Sequence, residues 1–350
     1  MQNSFDKLRN RLHNEYMSNR LRKDKTYTMD DLAAELGLSK STVSRALSGS
    51  GRIGADTVAR VKECAERLGF RPNLTAKALA GQRTLNLAAV MPQEATASMM
   101  MFYHECLSGM VVRGARSGYN ILVCMQDDND TVPLEDVVRN RKVDAVILTQ
   151  LKHDDKNVAL LKKENFPFVV IGSGAGENIA HVDSKMIESC AAFAVQCVSK
   201  LETGGNVLFV CGSLNVEANN NRLSGFLSAM ENSHFEGIQY AICTDVADVE
   251  NDLSVKDWNL ILCSDDVVCL RVMEALKRLE VQIGKDVLLA SFHDSILFET
   301  SMPPVSALRV DAFTLGEKST DVALKMLDGI QYEKMNYVDC SFEMRSSTGK

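Results

Sequence analysis

Two patterns of hydrophobic and polar positions divide the chain near residue 84. After that point, short runs of almost continuous apolar residues alternate with amphipathic segments of helical length. Such alternation is typical of parallel strands that are covered on both faces by helices. Seven such runs are visible: LNLAAVM, YNILVCM, VDAVILT, PFVVIG, NVLFVCG, WNLILCS and DVLLASF. This number of strands predicts two doubly wound lobes, with any ligand in the crevice at the carboxyl ends of the strands.

Residues 26–73 have a helical period instead. Thr28 predicts the N-cap of a first helix that ends at Gly37, and Ser39 predicts the N-cap of a second helix over about 40–47. A third helix is expected over 55–68, ended by a glycine. Two helices joined by a tight turn and braced by a third predict a helix-turn-helix unit.

Charge separates the same two regions. Residues 1–83 hold 16 Lys and Arg against 9 Asp and Glu, a net charge of +7, whereas the remaining 267 residues hold 23 against 37, a net charge of −14. A basic head on an acidic body indicates that one end of the chain meets a polyanion.

The second predicted helix, over about 40–47, includes most of STVSRALSG and has a polar face opposite its apolar one. Lys40, Ser41, Ser44 and Arg45 share that face. Small hydroxyl side chains can approach phosphates and base edges closely, and arginine can reach guanine in the major groove. The pattern therefore favours double-stranded DNA as a partner, and a small helical bundle with an ordinary solvated face is the alternative.

Residues 26–84 resemble the headpiece and hinge of the LacI/GalR family of bacterial transcription regulators. The motifs LSKSTVSRALSG, RIGADT, LGFRPN and AKALAG carry the resemblance. It implies a homodimer whose second helices lie in the major groove and whose hinge helices insert leucines into the minor groove. Its implied DNA-binding residues are Thr28, Lys40, Ser41, Thr42, Ser44, Arg45, Arg52, Asn73, Ala76 and Leu79.

The body resembles the core of the same family, which is similar to periplasmic sugar-binding proteins. The segments NRLSGF, LILCSDDVV and LLASFHDS carry this resemblance, although MMFY stands where the family has NPFF. The resemblance implies a sugar effector, and maltose or a malto-oligosaccharide is expected because the chain looks most like the maltose-operon repressors. The implied effector-binding residues are Phe102, Tyr103, Arg222, Asp265, His293 and Asp294.

Together these features predict an α/β protein with an N-terminal helix-turn-helix headpiece and a two-lobed periplasmic-binding-protein-like core of doubly wound parallel sheets. The expected parts are a basic N-terminal extension (1–25), the headpiece (26–72), a hinge helix and linker (73–84) and the core (85–345). The core is expected to bind the effector and to dimerise. A hinge helix this short is expected to form only when a partner or DNA supports it.

Several other classes of protein are disfavoured. The first strand is not followed by GxGxxG, and neither GxxxxGK[ST] nor HExxH occurs, so we expect no nucleotide cofactor, no metal and no enzyme. GSGAG (172–176) is interpreted as a turn between the lobes. The ten cysteines are scattered without a CxxC pair, which predicts reduced core thiols. With no apolar run of membrane-spanning length and no apolar signal-peptide core at the start, a cytoplasmic location is expected.

The expected function is that of a DNA-binding repressor controlled by a sugar. Two alternatives stay open: a regulator of the same family controlled by a protein partner or another sugar, and a sugar-binding protein whose head does not bind DNA. Binding of a DNA duplex by the head would separate the last of these from the others.

Overall fold

The structure is a computed structural model. It describes residues 27–48, 53–70, 83–93, 97–126, 130–174, 176, 178–201, 204–233, 235–254 and 256–349. Contacts divide the chain into two units, Met1–Gln82 and Arg83–Lys350. In the described part of the chain, no helix has both the length and the apolar character that a membrane span requires.

The first unit contains the three predicted helices: α1 (Met29–Leu36), α2 (Lys40–Ser48) and α3 (Ala55–Leu68). α1 begins with a capping box between Thr28 and Asp31 and ends at Gly37, whose φ of 65° is left-handed. Both ends were predicted from the sequence because caps and terminal glycines are local signals. The helices enclose a small core around Leu32 and Val43, both fully buried.

The second unit contains two six-stranded sheets, each belonging to one lobe. The first sheet has the strand order β11-β5-β4-β3-β1-β2, and all its neighbouring strands are parallel. Its strands are β1 (Asn86–Pro92), β2 (Asn120–Gln126), β3 (Ala145–Leu148), β4 (Phe168–Ile171), β5 (Ala180–Asp183) and β11 (Met335–Tyr337). The helices of this lobe are α4 (Ala97–Arg116), α5 (Val132–Arg139), α6 (Lys156–Lys163) and α12 (Ala312–Leu327).

The second sheet has the order β12-β10-β9-β8-β6-β7 and is parallel except for β12, which runs antiparallel to β10. Its strands are β6 (Gly205–Val210), β7 (Ile238–Cys243), β8 (Leu260–Cys263), β9 (Leu288–Ser291), β10 (Ser306–Val310) and β12 (Cys340–Glu343). The helices of this lobe are α7 (Met186–Val198), α8 (Glu217–Asn232), α9 (Val249–Ser254), α10 (Asp266–Arg278) and α11 (Ile296–Thr300). Short 3-10 helices occur at Val246–Asp248 and Ser346–Thr348.

The central strands of each sheet are buried on both faces, as the apolar runs predict, whereas the edge strands β2 and β7 are partly exposed. Along β1, Leu87 and Ala89 pack into the cluster that contains α4 and α12, whereas Ala88 and Val90 pack into the cluster that contains α5 and α6. Successive side chains of a strand point to opposite faces, so a strand covered on both sides must be apolar throughout.

The chain crosses between the lobes three times. It passes from β5 to α7, from β10 to α12 and from β11 to β12. The crossing into α12 brings that helix against α4 so closely that glycines are required at the contact. A Cβ on Gly109 would lie 2.0 Å from the Phe313 carbonyl oxygen, and one on Gly316 would lie 1.9 Å from that of Cys106.

Five strands were not predicted from the sequence: β5, β7, β10, β11 and β12. Most of them are short or lie at or near a sheet edge, and β7 exposes four consecutive residues, 239–242. One of these five, β12, is the antiparallel edge strand of the second sheet. Strands of this kind lack the continuous apolar run that identifies a central parallel strand.

Three expected boundaries and turns need correction. GSGAG does not cross between the lobes, because it joins β4 to β5 within the first sheet. The predicted linker, 73–84, extends two residues too far. Arg83 pairs with Asp328 at 2.7 Å and the Thr84 N–H donates to Asp144 Oδ1 at 2.7 Å, so both residues belong to the core. The core also continues beyond residue 345: Ser347 is fully buried and donates to the Leu289 carbonyl at 2.6 Å.

The ten cysteines are all free thiols, and nine of them are buried. Their burial confirms the prediction that these side chains lie inside the core. They are distributed over both lobes and the headpiece, so each one fills space between neighbouring elements as a small apolar side chain.

Candidate nucleic-acid interface and ligand cavity

The polar face of α2 is exposed, and the opposite face of the same helix is fixed in the headpiece core. Lys40, Ser41, Ser44 and Arg45 are exposed, while Val43 behind them is fully buried. The burial fixes the rotation of the helix, so these four predicted residues are presented together. Such a face can offer hydroxyl, ammonium and guanidinium donors to a polyanion without exposing apolar surface.

Hydrogen bonds fix the start of α2. Ser39 Oγ accepts from the Thr42 N–H at 3.1 Å, which confirms Ser39 as the N-cap. Ser39 Oγ also lies 2.9 Å from Ser41 Oγ and 2.8 Å from Thr42 Oγ1. These hydroxyls therefore gather at the positive end of the helix dipole, where a phosphate is favoured.

Several of the predicted DNA contacts also have partners within the headpiece. Lys40 Nζ donates to Asp30 Oδ2 at 2.8 Å, but both side chains are more than half exposed, so solvent screens the pair. Thr28 Oγ1 accepts from the Asp31 N–H at 3.2 Å and is part of the capping box. Arg52, Asn73, Ala76 and Leu79 lie outside the described residues.

A cavity of about 310 Å³ lies between the lobes, where the carboxyl ends of strands from both sheets meet. Its volume is at the lower end of the range for small-molecule sites. Five of the six predicted effector-binding residues line it: Phe102, Tyr103, Arg222, Asp265 and His293.

Arg222, on α8, is the least satisfied charged side chain at this cavity. Its side chain is only 12% exposed, Nη1 donates to Asn219 Oδ1 at 3.0 Å, and the Asp265 carboxylate lies 3.8 Å away. Its Nε is buried without a hydrogen-bond partner. A buried guanidinium donor without an acceptor is costly, so an acceptor from a ligand would stabilise this arrangement.

Asp265 has a structural role besides facing the cavity. It is the N-cap of α10: Oδ1 accepts from the Val268 N–H at 2.9 Å, and Oδ2 accepts from Ser264 Oγ at 2.9 Å. A carboxylate between a strand and a helix is a local capping signal. Its Oδ2 also lies 3.8 Å from Arg222 Nη1, so the carboxylate helps to hold the guanidinium in place.

His293 and Phe102 form an aromatic corner of the cavity, with ring centroids 5.4 Å apart in an edge-to-face arrangement. Burial lowers the pKa of His293, which is opposed by the neighbouring Asp266 carboxylate. Burial also raises the pKa of Tyr103, although the nearby Arg222 acts in the other direction. Both groups are therefore neutral at pH 7, and they act as hydrogen-bonding and packing groups.

The sixth predicted residue, Asp294, is not part of the lining of this cavity. Its carboxylate makes a bidentate ion pair with Arg345, with distances of 2.7 and 2.9 Å, and its side chain is 7% exposed. Arg345 is 51 residues further along the chain, and no local pattern indicates this pairing. Asp294 therefore fixes the C-terminal segment, and its role in effector binding stays a prediction.

The cavity also includes polar residues that the sequence analysis did not identify, chiefly Asp183, Asn219 and Asn221. Asp183 ends β5 and is 6% exposed, and burial raises the pKa of its carboxyl group. It could have been found by the rule that cleft residues follow strands, but β5 itself was missed. Apolar side chains such as Met99 and Ile171 complete the wall.

Main-chain contacts join the lobes along one edge of this cavity. The Glu217 N–H donates to the Leu151 carbonyl at 3.1 Å, and the His153 N–H donates to the Asn215 carbonyl at 3.1 Å. Between them, Lys152 and Val216 form an antiparallel β-bridge. We call residues 151–153 and 215–217 the cross-lobe bridge, since they hold the two lobes in a defined closure.

Comparison with known families identifies both units. Residues 28–73 match the bacterial regulatory proteins of the lacI family, and residues 203–348 match a periplasmic binding protein-like domain. The HTH-type transcriptional regulator MalR of Staphylococcus xylosus is 25% identical over 315 residues, covering 86% of this chain and 92% of that protein. Catabolite control protein A of Staphylococcus aureus strain MRSA252 is 23% identical, covering 89% of this chain and 96% of its own.

Solved structures share the fold. The lac repressor dimer bound to operator and the anti-inducer ONPF has a TM-score of 0.72 at 18% identity, covering 93% of this chain and all of that chain. A probable maltose operon transcriptional repressor, malR, from Staphylococcus aureus has a TM-score of 0.68 at 21% identity, covering 76% of this chain and 98% of its own.

Proposed function

We propose that this chain, which belongs to the LacI family of transcriptional regulators, is a homodimeric repressor that responds to a sugar. It carries a LacI-family helix-turn-helix domain and a periplasmic-binding-protein-like core. In this proposal it binds a pseudo-palindromic operator in the cytoplasm. The exposed donor face of α2 carries the DNA part of this proposal. Its four side chains lie on a helix whose orientation is fixed by Val43, which is what direct readout of a major groove needs.

The DNA part is tested by fluorescence anisotropy with a labelled palindromic duplex that has a central CG step, against a scrambled duplex at fixed salt. We expect tighter binding to the palindrome. Arg45→Ala is expected to weaken it by about tenfold to a hundredfold, as for loss of one base or phosphate contact. Arg60→Ala removes the same charge from an exposed position on α3 and serves as the control. Equal losses in both variants would count against readout by α2.

We infer that the effector is maltose or a related malto-oligosaccharide bound in the cavity between the lobes. The unpaired Nε of Arg222 supports a ligand with acceptor oxygens, and the carboxylate of Asp183 supports one with hydroxyl donors. A sugar ring offers both kinds of group at its rim and an apolar face toward side chains such as Phe102. The similar malR protein is named for the maltose operon.

Maltose should change the operator affinity of the wild-type protein. By linkage, operator DNA must then change the maltose affinity by the same factor. Arg222→Ala should abolish the response to maltose while operator binding persists, and Arg271→Ala, at an exposed position of α10, should leave both intact. A variant without Arg222 that still responds normally would refute this cavity as the effector site.

A further inference from the structure

The chain enters the core through three consecutive residues, each of which is held by a contact from elsewhere in the first lobe. Arg83 is the first residue of the core. Its Nη1 donates to Asp328 Oδ1 at 2.7 Å and to Tyr119 Oη at 3.4 Å, and its Nη2 donates to the Leu327 carbonyl. We call residues 83–85 the linker anchor, because the predicted linker directly precedes them.

A single carboxylate, that of Asp144, holds the other two residues of the linker anchor. Its Oδ1 accepts from the Thr84 N–H at 2.7 Å and from the Thr84 hydroxyl at 2.9 Å, and its Oδ2 accepts from the Leu85 N–H at 3.0 Å. Hydrogen bonds to a carboxylate are stronger than those between neutral groups. Asp144 directly precedes β3, so these bonds tie the anchor to the middle of the first sheet.

The backbone of the linker anchor is strained at Leu85. This residue has a φ of 56°, in the left-handed region, which is rare for a bulky side chain. Its carbonyl accepts from the Asn120 N–H at 2.9 Å, and its side chain packs against the core of the first lobe. Such a conformation persists only where the surroundings determine it, and it is concentrated at functional sites. The core therefore fixes the direction of the chain at this point in spite of the strain.

The partner of Arg83 is poorly placed for the stability of its own helix. Asp328 is the C-cap of α12, where the helix dipole disfavours an anion. The guanidinium compensates by pairing with this carboxylate and by donating to the Leu327 carbonyl, one of the last in the helix. The Asp328 side chain is 50% exposed, so the pair adds little to stability. A role in positioning the linker explains it better.

Three elements of the first lobe, β3, α12 and α4, connect the linker anchor with the cavity between the lobes. The anchor contacts the residue before β3, the residue after α12 and Tyr119, beyond the end of α4. Toward their other ends, the same three elements reach the cavity wall with Thr149, Leu315 and Tyr103, respectively. The close glycine contact between α4 and α12 leaves these helices no room to shift against each other.

We propose that the linker anchor passes the position of the first lobe to the headpiece, with Asp144 and Asp328 as positioning residues that lie outside the ligand cavity. This inference rests on the proposed repressor function and adds the place where the effector signal leaves the core. All contacts of the anchor come from the first lobe, so a change in the angle between the lobes moves the start of the linker with it. A loosened anchor weakens this coupling.

The functional test compares two acidic residues of the same helix. Asp328→Ala releases Arg83 and removes an anion from a helix C-terminus, so the helix itself is not weakened. Glu317→Ala is the matched control, since Glu317 pairs with Arg116 at 3.1 Å and has no contact with the anchor. Operator affinity is measured by anisotropy, with and without maltose. Asp144→Ala, which removes the acceptors of both remaining anchor residues, is the stronger variant.

We expect Asp328→Ala to lower operator affinity about threefold and to shrink the effect of maltose on that affinity by a similar factor. Asp144→Ala should do both to a larger extent. Maltose affinity in the absence of DNA should stay at the wild-type value in all variants, because neither residue lines the cavity. Glu317→Ala should behave like the wild type.

Trypsin gives a second measurement that needs neither DNA nor maltose. Cleavage after Arg83 requires its side chain and the Thr84 backbone to leave their partners, so it reports opening of the anchor. We expect a core fragment that begins at Thr84, identified by mass spectrometry, to appear about fivefold faster in Asp328→Ala and faster still in Asp144→Ala. Glu317→Ala should be cleaved at the wild-type rate.

Two outcomes would overturn the inference. One is unchanged cleavage in both anchor variants. The other is faster cleavage together with wild-type operator affinity and a wild-type response to maltose, which would leave the anchor a purely structural role. Failure of the proposed function is seen in the wild-type protein alone. Without preference for the palindrome, the repressor and the positioning role fall together, whereas without a maltose response only the effector falls and operator affinity decides.

Discussion

The headpiece and the cleft use the same kind of side chain in opposite surroundings. Arg45 is exposed on α2, where water and salt weaken every charge interaction, whereas Arg222 is 12% exposed and faces a cavity. An exposed arginine contributes affinity for a polyanion at little cost in stability, whereas a buried arginine must be compensated by its neighbours. The headpiece therefore depends on a correctly rotated helix, and the cleft depends on two lobes held at a correct separation.

The largest effect is expected where α4 and α12 meet in the core. Gly316→Ala places a Cβ 1.9 Å from a backbone oxygen, so the helices must separate, and we expect a loss of about 3 kcal/mol in core stability. Trp258 is the only tryptophan of the chain and lies in the core, so its fluorescence in a urea titration reports this loss. Gly54→Ala, in the headpiece, has open space around its Cβ and should leave the transition unchanged. A core transition that does not move in Gly316→Ala would contradict the close contact.

A loss of similar or slightly smaller size is expected in the headpiece when its core is opened. Leu32→Ala removes a fully buried side chain and should destabilise the three helices by about 2 to 3 kcal/mol. Operator binding should fall with headpiece stability, while the Trp258 transition and maltose binding stay at wild-type values. If the fluorescence transition moved as well, the two regions would not be independent.

Acidification should affect the cleft through His293. Burial lowers its pKa from the usual 6.5, so the unfolded chain takes up the proton first as the pH falls. The core therefore loses stability below about pH 6.5, by at most about 1.4 kcal/mol between pH 7.5 and 5.5. His293→Gln should flatten this dependence in chemical denaturation curves recorded at several pH values, and His104→Gln, at an exposed position, should not. Equal slopes for wild type and His293→Gln would show that the cleft histidine is not the titrating group.

The smallest effect is expected from one hydrogen bond of the cross-lobe bridge. Glu217→Pro deletes the N–H that donates to Leu151 while keeping a residue that suits the first position of α8. The preceding Val216 already has φ −91° and ψ 119°, which a following proline accepts. We expect maltose affinity to fall about fivefold, because the closed arrangement of the lobes loses about 1 kcal/mol of stabilisation. Glu217→Ala keeps the N–H, so a similar loss in both variants would assign the effect to the side chain.

Local signals explain what the sequence revealed. The capping pair Thr28 and Asp31, the N-cap Ser39 and the helix-ending Gly37 all act within a few residues, so the headpiece helices were predicted with nearly correct ends. Six of the seven predicted strands lie inside a sheet, where burial on both faces leaves a continuous apolar run, and the seventh, β2, is an edge strand that keeps an apolar run.

Contacts between distant parts of the chain explain what was missed. Asp294 was assigned to the effector site because its neighbours resemble a family segment, and its pairing with Arg345 was missed because it depends on the path of the C-terminal segment. Likewise, the cross-lobe bridge joins residues about sixty positions apart through main-chain atoms, which leave no trace in side-chain identity.

The buried thiols give the protein a chemical property that can be put to experimental use. Burial raises the pKa of Cys106 to about 12 and that of Cys124 and Cys211 to about 11, so these side chains are almost never thiolates at neutral pH. Maleimide and disulfide reagents should therefore modify them only when the surrounding segment opens. A single cysteine introduced on the exposed face of α2 could then carry a fluorophore with the native cysteines left in place. The rate at which the native thiols react would time the opening of each lobe.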